Sequence, residues 1–195
     1  MLAKSLSELQ NIANLRGITY DAPEEEISDN QRIIKTIISR NFTLNRADAF
    51  ASFADPQTHV KYFDIIQSCT PLIPLEGALE PNAYIVLEKV QEENLPPRLM
   101  IVKYTLDPPN SISKDAVTNP FIDIPDLPLD RKKAKVRMQF EEISRNSTKI
   151  TCESIFTTSN GPVFVRGFID HVWLNFYEKL MVDLGEISQS DMITG

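Results

Sequence analysis

GPVFVRGFIDHVWLNFYEKL, residues 161–180, is the most legible stretch of the chain. Asn160-Gly161-Pro162 is a stop-and-start signal. From Val163 to about Leu184, Phe168, Ile169, Val172, Trp173, Phe176 and Leu180 return at helical spacing, while Arg166, Asp170, Asn175 and Glu178 lie elsewhere. The spacing predicts one long amphipathic helix, about 33 Å at 1.5 Å per residue. Gly185 is placed to cap it, and a frayed tail is expected over residues 188–195.

Working back from that helix, the preceding segments alternate at period two, as half-buried strands do. KAKVRMQFEEI (133–143) sets Ala134, Val136, Met138 and Phe140 against Lys135, Arg137, Gln139 and Glu141. TKITCESIFTT (148–158) sets Ile150, Cys152, Ser154 and Phe156 on one face, and residues 144–147 supply the turn between the two. AYIVLEKV (83–90) and RLMIVKYTL (98–106) read as a second hairpin. A weak, proline-broken strand is expected over residues 68–78. RIIKTIISRNFTL (32–44) opens the set, with Arg40 on the apolar parity. After it, Asn45 is placed to cap a short helix with Ala47, Phe50 and Ala51 inward, and Asp55-Pro56 to cap and open another. Residues 107–130 hold five prolines and the apolar cluster Phe121, Ile122, Ile124, Leu127 and Leu129. A loop of that length implies a covering or binding role, and it is read as a lid.

At 195 residues, with 42% hydrophobic and 24% charged side chains, the chain is long enough for one globular unit with a buried core. Its 20 Lys plus Arg against 27 Asp plus Glu give a formal charge of −7, which argues against broad nucleic-acid binding. No secretory signal and no window of about 20 apolar residues is visible, so a cytoplasmic location is expected. Cys69 and Cys152 are far apart and read as reduced thiols; two distant histidines add no zinc geometry, so neither a metal nor a cofactor is expected. The boundaries follow: a helix and the acidic linker DAPEEEISDN within residues 1–30, a main domain over 31–187, and the tail. The helix is read as a packing or docking helix, and helix and linker together as a candidate tether for a protein partner.

The order of strand, two short helices, further antiparallel strands and one long final helix resembles the helix-grip superfamily, SRPBCC. That group includes START lipid-transfer domains, Bet v 1-like proteins, polyketide cyclases and coenzyme Q-binding proteins. The likeness runs over residues 32–187 and rests on the element order, on NRADAFASFADPQTHVKYF (45–63) and on the terminal helix. It implies an α+β fold, with a curved antiparallel sheet of six to seven strands wrapped on the C-terminal helix. Six strands are found; the seventh is expected near residues 121–124 or after Cys69. The resemblance also implies a hydrophobic small-molecule ligand, such as a lipid, quinone, sterol or polyketide, held between sheet and helix.

Within that frame the expected ligand-binding residues are Arg40, Phe42, Tyr104, Met138, Phe140, Phe156, Phe168, Val172, Trp173 and Phe176. Arg40 is the preferred polar anchor, with Glu153 and Arg166 as further polar groups on or beside apolar parities. His59, four residues after Asp55, reads as a surface histidine beside a helix-capping aspartate, and His171 falls toward the polar side of the last helix. The basic run at 131–137 reads first as a solvated strand face and second as a surface for transient membrane contact. A carrier is the leading function; a cyclase-like enzyme on the same scaffold and a protein-interaction module with a filled core are the alternatives.

Overall fold

The hairpin of β8 (Ala134–Ser144) and β9 (Ser147–Ser159) stands at the centre of the sheet, turning at Arg145-Asn146. The structure is a computed structural model that describes residues 6–21, 25–28, 31–73, 76–77, 79–91, 97–117, 134–159 and 164–193. Side chains at 6, 25–28, 31, 32, 34, 134, 156–159 and 164–170 are outside that description. The chain runs α1 (Leu6–Leu15), β1 (Thr19–Asp21), β2 (Glu25–Ser28), β3 (Gln31–Phe42), α2 (Arg46–Ala54) and α3 (Pro56–Tyr62). It continues through β4 (Ile66–Leu72), β5 (Ala83–Val90), β6 (Arg98–Asp107), β7 (Ser111–Ala116), β8, β9 and α4 (Phe164–Asp183).

All pairings are antiparallel, in the order β1-β3-β9-β8-β7-β6-β5-β4, with β2 sharing the edge of β3 that β1 uses. Among the described residues the sheet therefore has nine strands, where six to seven are expected. Seven are substantial, and β1 and β2 are short additions. The seventh substantial strand is β7, which falls inside the stretch read as a lid loop. Pro108 and Pro109 sit in the tight turn from β6 to β7, where Asn110 N donates to Asp107 O at 2.6 Å. The prolines thus mark a turn, and residues 118–133, with the lid reading attached to them, lie outside the described residues.

One face of the sheet carries α4, α2 and α3, and the core lies between them. Phe53 of α2 rests 6.1 Å from Phe140 and 5.5 Å from Phe176 of α4, ring centre to ring centre. Tyr177 of α4 donates its hydroxyl to the carbonyls of Ile38 (3.1 Å) and Ile150 (2.9 Å), pinning the helix to β3 and β9. Asn45 caps α2 and Asp55 caps α3, each side chain accepting a backbone N–H at 2.9 Å. On the outer face Ile85 and Ile101 form a small second cluster with Leu72, Leu79, Leu87 and Val117.

Two expectations at the ends of the chain are corrected. Where a linker is expected over residues 21–30, β2 pairs with β3, next to the short β1; Leu9, Ile12 and Ala13 of α1 with Ile18 and Tyr20 belong to the main core, as the packing reading of that helix expects. The tail is tied down as well: Arg16 bonds the Asp191 carbonyl, and Ile193 N donates to buried Glu178 at 3.0 Å. Gly185, at φ +70, ends α4 as its position implies, with Glu186 N returning to Met181 O at 2.8 Å.

Candidate functional site

Register sets the inner face in rows. Leu106, Ile112, Met138, Cys152, Ile38 and Tyr20 are successive partners across the sheet, and all are apolar or weakly polar. A neighbouring row differs: Tyr84, Tyr104, Lys114, Val136, Ser154 and Thr36, a polar band inside an apolar interior. Beside it, Glu88 faces Cys69 on one strand and Met100 on the other.

Four side chains of this region converge. Glu88 Oε1 accepts from Tyr104 Oη at 2.8 Å and from Lys114 Nζ at 2.8 Å. The ammonium of Lys114 lies 5.1 Å from the centre of the Tyr104 ring and 5.9 Å from that of Phe63. His59 of α3 stacks on Phe63 at 5.7 Å and meets the Tyr104 ring edge-on at 5.5 Å. Its Nε2 is 3.1 Å from the Phe53 carbonyl, and its Nδ1 has no hydrogen-bond partner although the residue is fully buried. A carbonyl oxygen only accepts, so Nε2 carries the proton and Nδ1 is a bare acceptor.

Burial is the main cause of every shifted protonation equilibrium here. It holds the His59 pKa well below 6.5, and the Lys114 charge lowers it further. It raises the Tyr104 phenol far above its ordinary range, with Glu88's charge and hydrogen bond adding to it. The Cys69 thiol is pushed up to about 12, by burial first and Glu88 second. A neutral imidazole therefore sits beside the Glu88–Lys114 ion pair at neutral pH.

The His59 shift fixes the sign of an acid effect. Below pH 6.5 the unfolded chain protonates this imidazole and the folded one does not, so stability falls as pH falls from there. Urea denaturation at pH 6.5 and pH 5 should show a decline that His59→Phe removes. An unchanged slope in the variant would mean that His59 is not held neutral by the fold.

The band is roofed by α4. Trp173 Nε1 donates to Ser154 Oγ at 2.9 Å, and Phe63 lies stacked 4.8 Å from Phe176 and edge-on 5.2 Å from Trp173. Val136, on a central strand between Lys114 and Ser154, and Val172 of α4 both stay half-buried, as does Met100. Among the described residues no three His, Cys, Asp or Glu side chains converge to hold a metal ion, and no helix is long and apolar enough to cross a membrane.

No protein-family model matches the sequence, and no curated protein matches it. Solved structures do. The STAR-related lipid transfer protein from Xanthomonas axonopodis superposes with a TM-score of 0.58 at 10% identity, covering 85% of this chain and 99% of that one. Human STARD10 gives 0.56 at 11% identity, over 95% and 80%. The Zhui aromatase/cyclase from Streptomyces sp. R1128 gives 0.54 at 10% identity, over 77% and 96%. The chain has the START-type helix-grip fold.

Within the helix grip, the expected site residues separate. Tyr104 belongs to the polar cluster, Trp173 and Phe176 to its aromatic surround, and Val172 to the half-buried border. Met138 and Phe140 are core, the latter under Phe50 and Phe53 of α2. Phe42 packs on Tyr177 at 5.5 Å, six residues along β3 from Thr36 and so roughly 20 Å from the polar band. The guanidinium of Arg40, the preferred polar anchor, is engaged by the Arg16 carbonyl at 2.8 Å and by the Glu186 carboxylate, fastening the two ends of the chain. Glu153 pairs with Lys35 at 2.8 Å at the surface. The side chains of Phe156, Phe168 and Arg166 lie outside the described residues. So do Arg131 to Lys133 of the basic run; Lys135 pairs with Asp115 at 3.4 Å. His59 and His171 are both buried, which corrects their reading as polar-face residues.

Glu88 and Lys114 escape the sequence reading. Parity is the signal that finds them: Glu88 shares the inner face with Tyr84, Val86 and Val90, and Lys114 shares it with Ile112. A charge on an inward parity needs a partner, and each is the other's.

Proposed function

We propose that this protein binds an apolar small molecule between the inner sheet face and α4, with the molecule's polar end at Lys114, Glu88, Tyr104 and His59. The observation that carries the reading is the half-buried Val136 between Lys114 and Ser154, on a central strand where a filled core would bury it. Neighbours of the same fold described as a lipid transfer protein and as an aromatase/cyclase both suit an apolar ligand. The free thiols Cys69 and Cys152 support a reducing compartment, as in the cytosol.

A carrier suits the residues better than a cyclase does. His59 is the histidine of the cluster, and a pKa held well below 6.5 makes it a weak proton acceptor at neutral pH. An interaction module tethered by its N-terminal segment has less support, because the apolar face of α1 is spent on the core.

Native mass spectrometry of the protein from its own source, with a denatured control, tests the reading. A discrete extra mass, lost on denaturation, is expected, and adding that compound back should shift the emission of Trp173, the single tryptophan. No extra mass, with neither Trp173 emission nor thermal midpoint responding to lipids, quinones and sterols, would overturn it.

A further inference from the structure

We infer that the polar end of the ligand is an uncharged hydroxyl group, donated to Nδ1 of His59 and accepting from Nζ of Lys114. The inference rests on the proposed binding reading and narrows its ligand class to alcohols and phenols.

Three features of the cluster select that group. The first is the direction of the unmet bond. Because His59 Nε2 donates to the Phe53 carbonyl, the unpartnered atom is an acceptor, and a ligand that satisfies it must bring a donor hydrogen. Ketones, ethers and esters bring none. The second is charge. Glu88 and Lys114 already neutralise each other at 2.8 Å with side chains 6% and 10% exposed. A carboxylate or phosphate would place a second anion beside Glu88 with one cation between them, where desolvation magnifies repulsion. An ammonium would face Lys114 in the same way. The third is the remaining donor capacity. An ammonium has three N–H groups, and the Glu88 bond uses one, so Lys114 has hydrogens left for the oxygen of a ligand. His59 and the Lys114 ammonium lie against the same two rings, Phe63 and Tyr104, and a hydroxyl, which donates once and accepts, can serve both without adding charge.

The aromatic surround of Phe63, Trp173 and Phe176 suits both chains and fused rings, so the test uses two matched series. The first is 1-dodecanol, dodecyl methyl ether and dodecanoate; the second is 2-naphthol, 2-methoxynaphthalene and 2-naphthoate. Binding to the full chain is read by Trp173 emission and checked by native mass spectrometry. In at least one series the hydroxyl compound should bind about tenfold tighter than its methyl ether, the ratio expected for one buried polar atom left unsatisfied. The carboxylate should bind more weakly than the hydroxyl compound by at least about as much. In His59→Phe the preference for hydroxyl over ether should disappear while the ether still binds.

Each other outcome overturns a distinct statement. If ether and alcohol bind equally in both series, an internal water satisfies Nδ1 and the hydroxyl inference fails, while the binding reading stands. If the carboxylates bind best, the ligand head is anionic and the inference fails likewise. If no member of either series binds, the binding reading fails and the inference with it. Should His59→Phe not fold, the wild-type series decides alone.

Discussion

Deleting residues 1–21 is expected to unfold the entire chain. Leu9, Ile12, Ala13, Ile18 and Tyr20 are all buried at 8% exposure or less within the core that α4 and the sheet share. Four of them are large, and at about 1.5–3 kcal/mol for each buried side chain their loss rivals the roughly 5–15 kcal/mol of a typical domain. The deletion also strips Arg16 from Glu178, whose side chain is fully buried and bonded to Arg16 Nε at 2.6 Å. Circular dichroism of the truncated chain should show no cooperative melt near that of the full chain. A melt within a few degrees of the full-length value would return α1 to the status of an appendage.

Glu88→Ala should cost about 3–5 kcal/mol, the range for removing one member of a buried ion pair. The loss leaves the Lys114 ammonium uncompensated, 10% exposed and between two aromatic rings, and takes the acceptor from Tyr104 Oη. Replacing both charges, as in Glu88→Met with Lys114→Met, should restore most of the stability, because the expense of the single change is the stranded charge. Urea midpoints of the two single variants and the double variant measure the coupling. A Glu88→Ala loss below about 1 kcal/mol would be the value of an exposed pair and would place the cluster in water.

How much of this was legible depends on whether a residue's role is local. The terminal helix was legible because its apolar residues recur through five turns, and the caps at Asn45 and Asp55 were legible because a cap is a property of three or four residues. The inward face of α2 was not. RADAFASFA offers two apolar stripes, and the fold buries Ala49, Phe50 and Phe53 in place of Ala47 and Ala51, because the second ring outweighs two methyls. SISKDA hides β7, since its inner face includes a lysine whose partner lies two strands away on β5. The acidic composition around β2 concealed a pairing supplied by the edge of β3. The partners of Arg40 were hidden for the same reason: its inward parity is real, and Arg16 and Glu186 come from opposite ends of the chain. Partners distant in sequence are what the linear pattern cannot supply.

The position of α4 after every strand has a consequence for biosynthesis. A ribosome completes β9 at Ser159 before it has made Phe164–Asp183, the helix whose Tyr177 hydroxyl locks onto Ile38 and Ile150. At roughly 5–20 residues per second, the stretch from Ser159 to Asp183 takes seconds to add, and Met138, Ile150 and Cys152 gain their α4 cover only after it. Closure of the core on that side of the sheet therefore waits for α4.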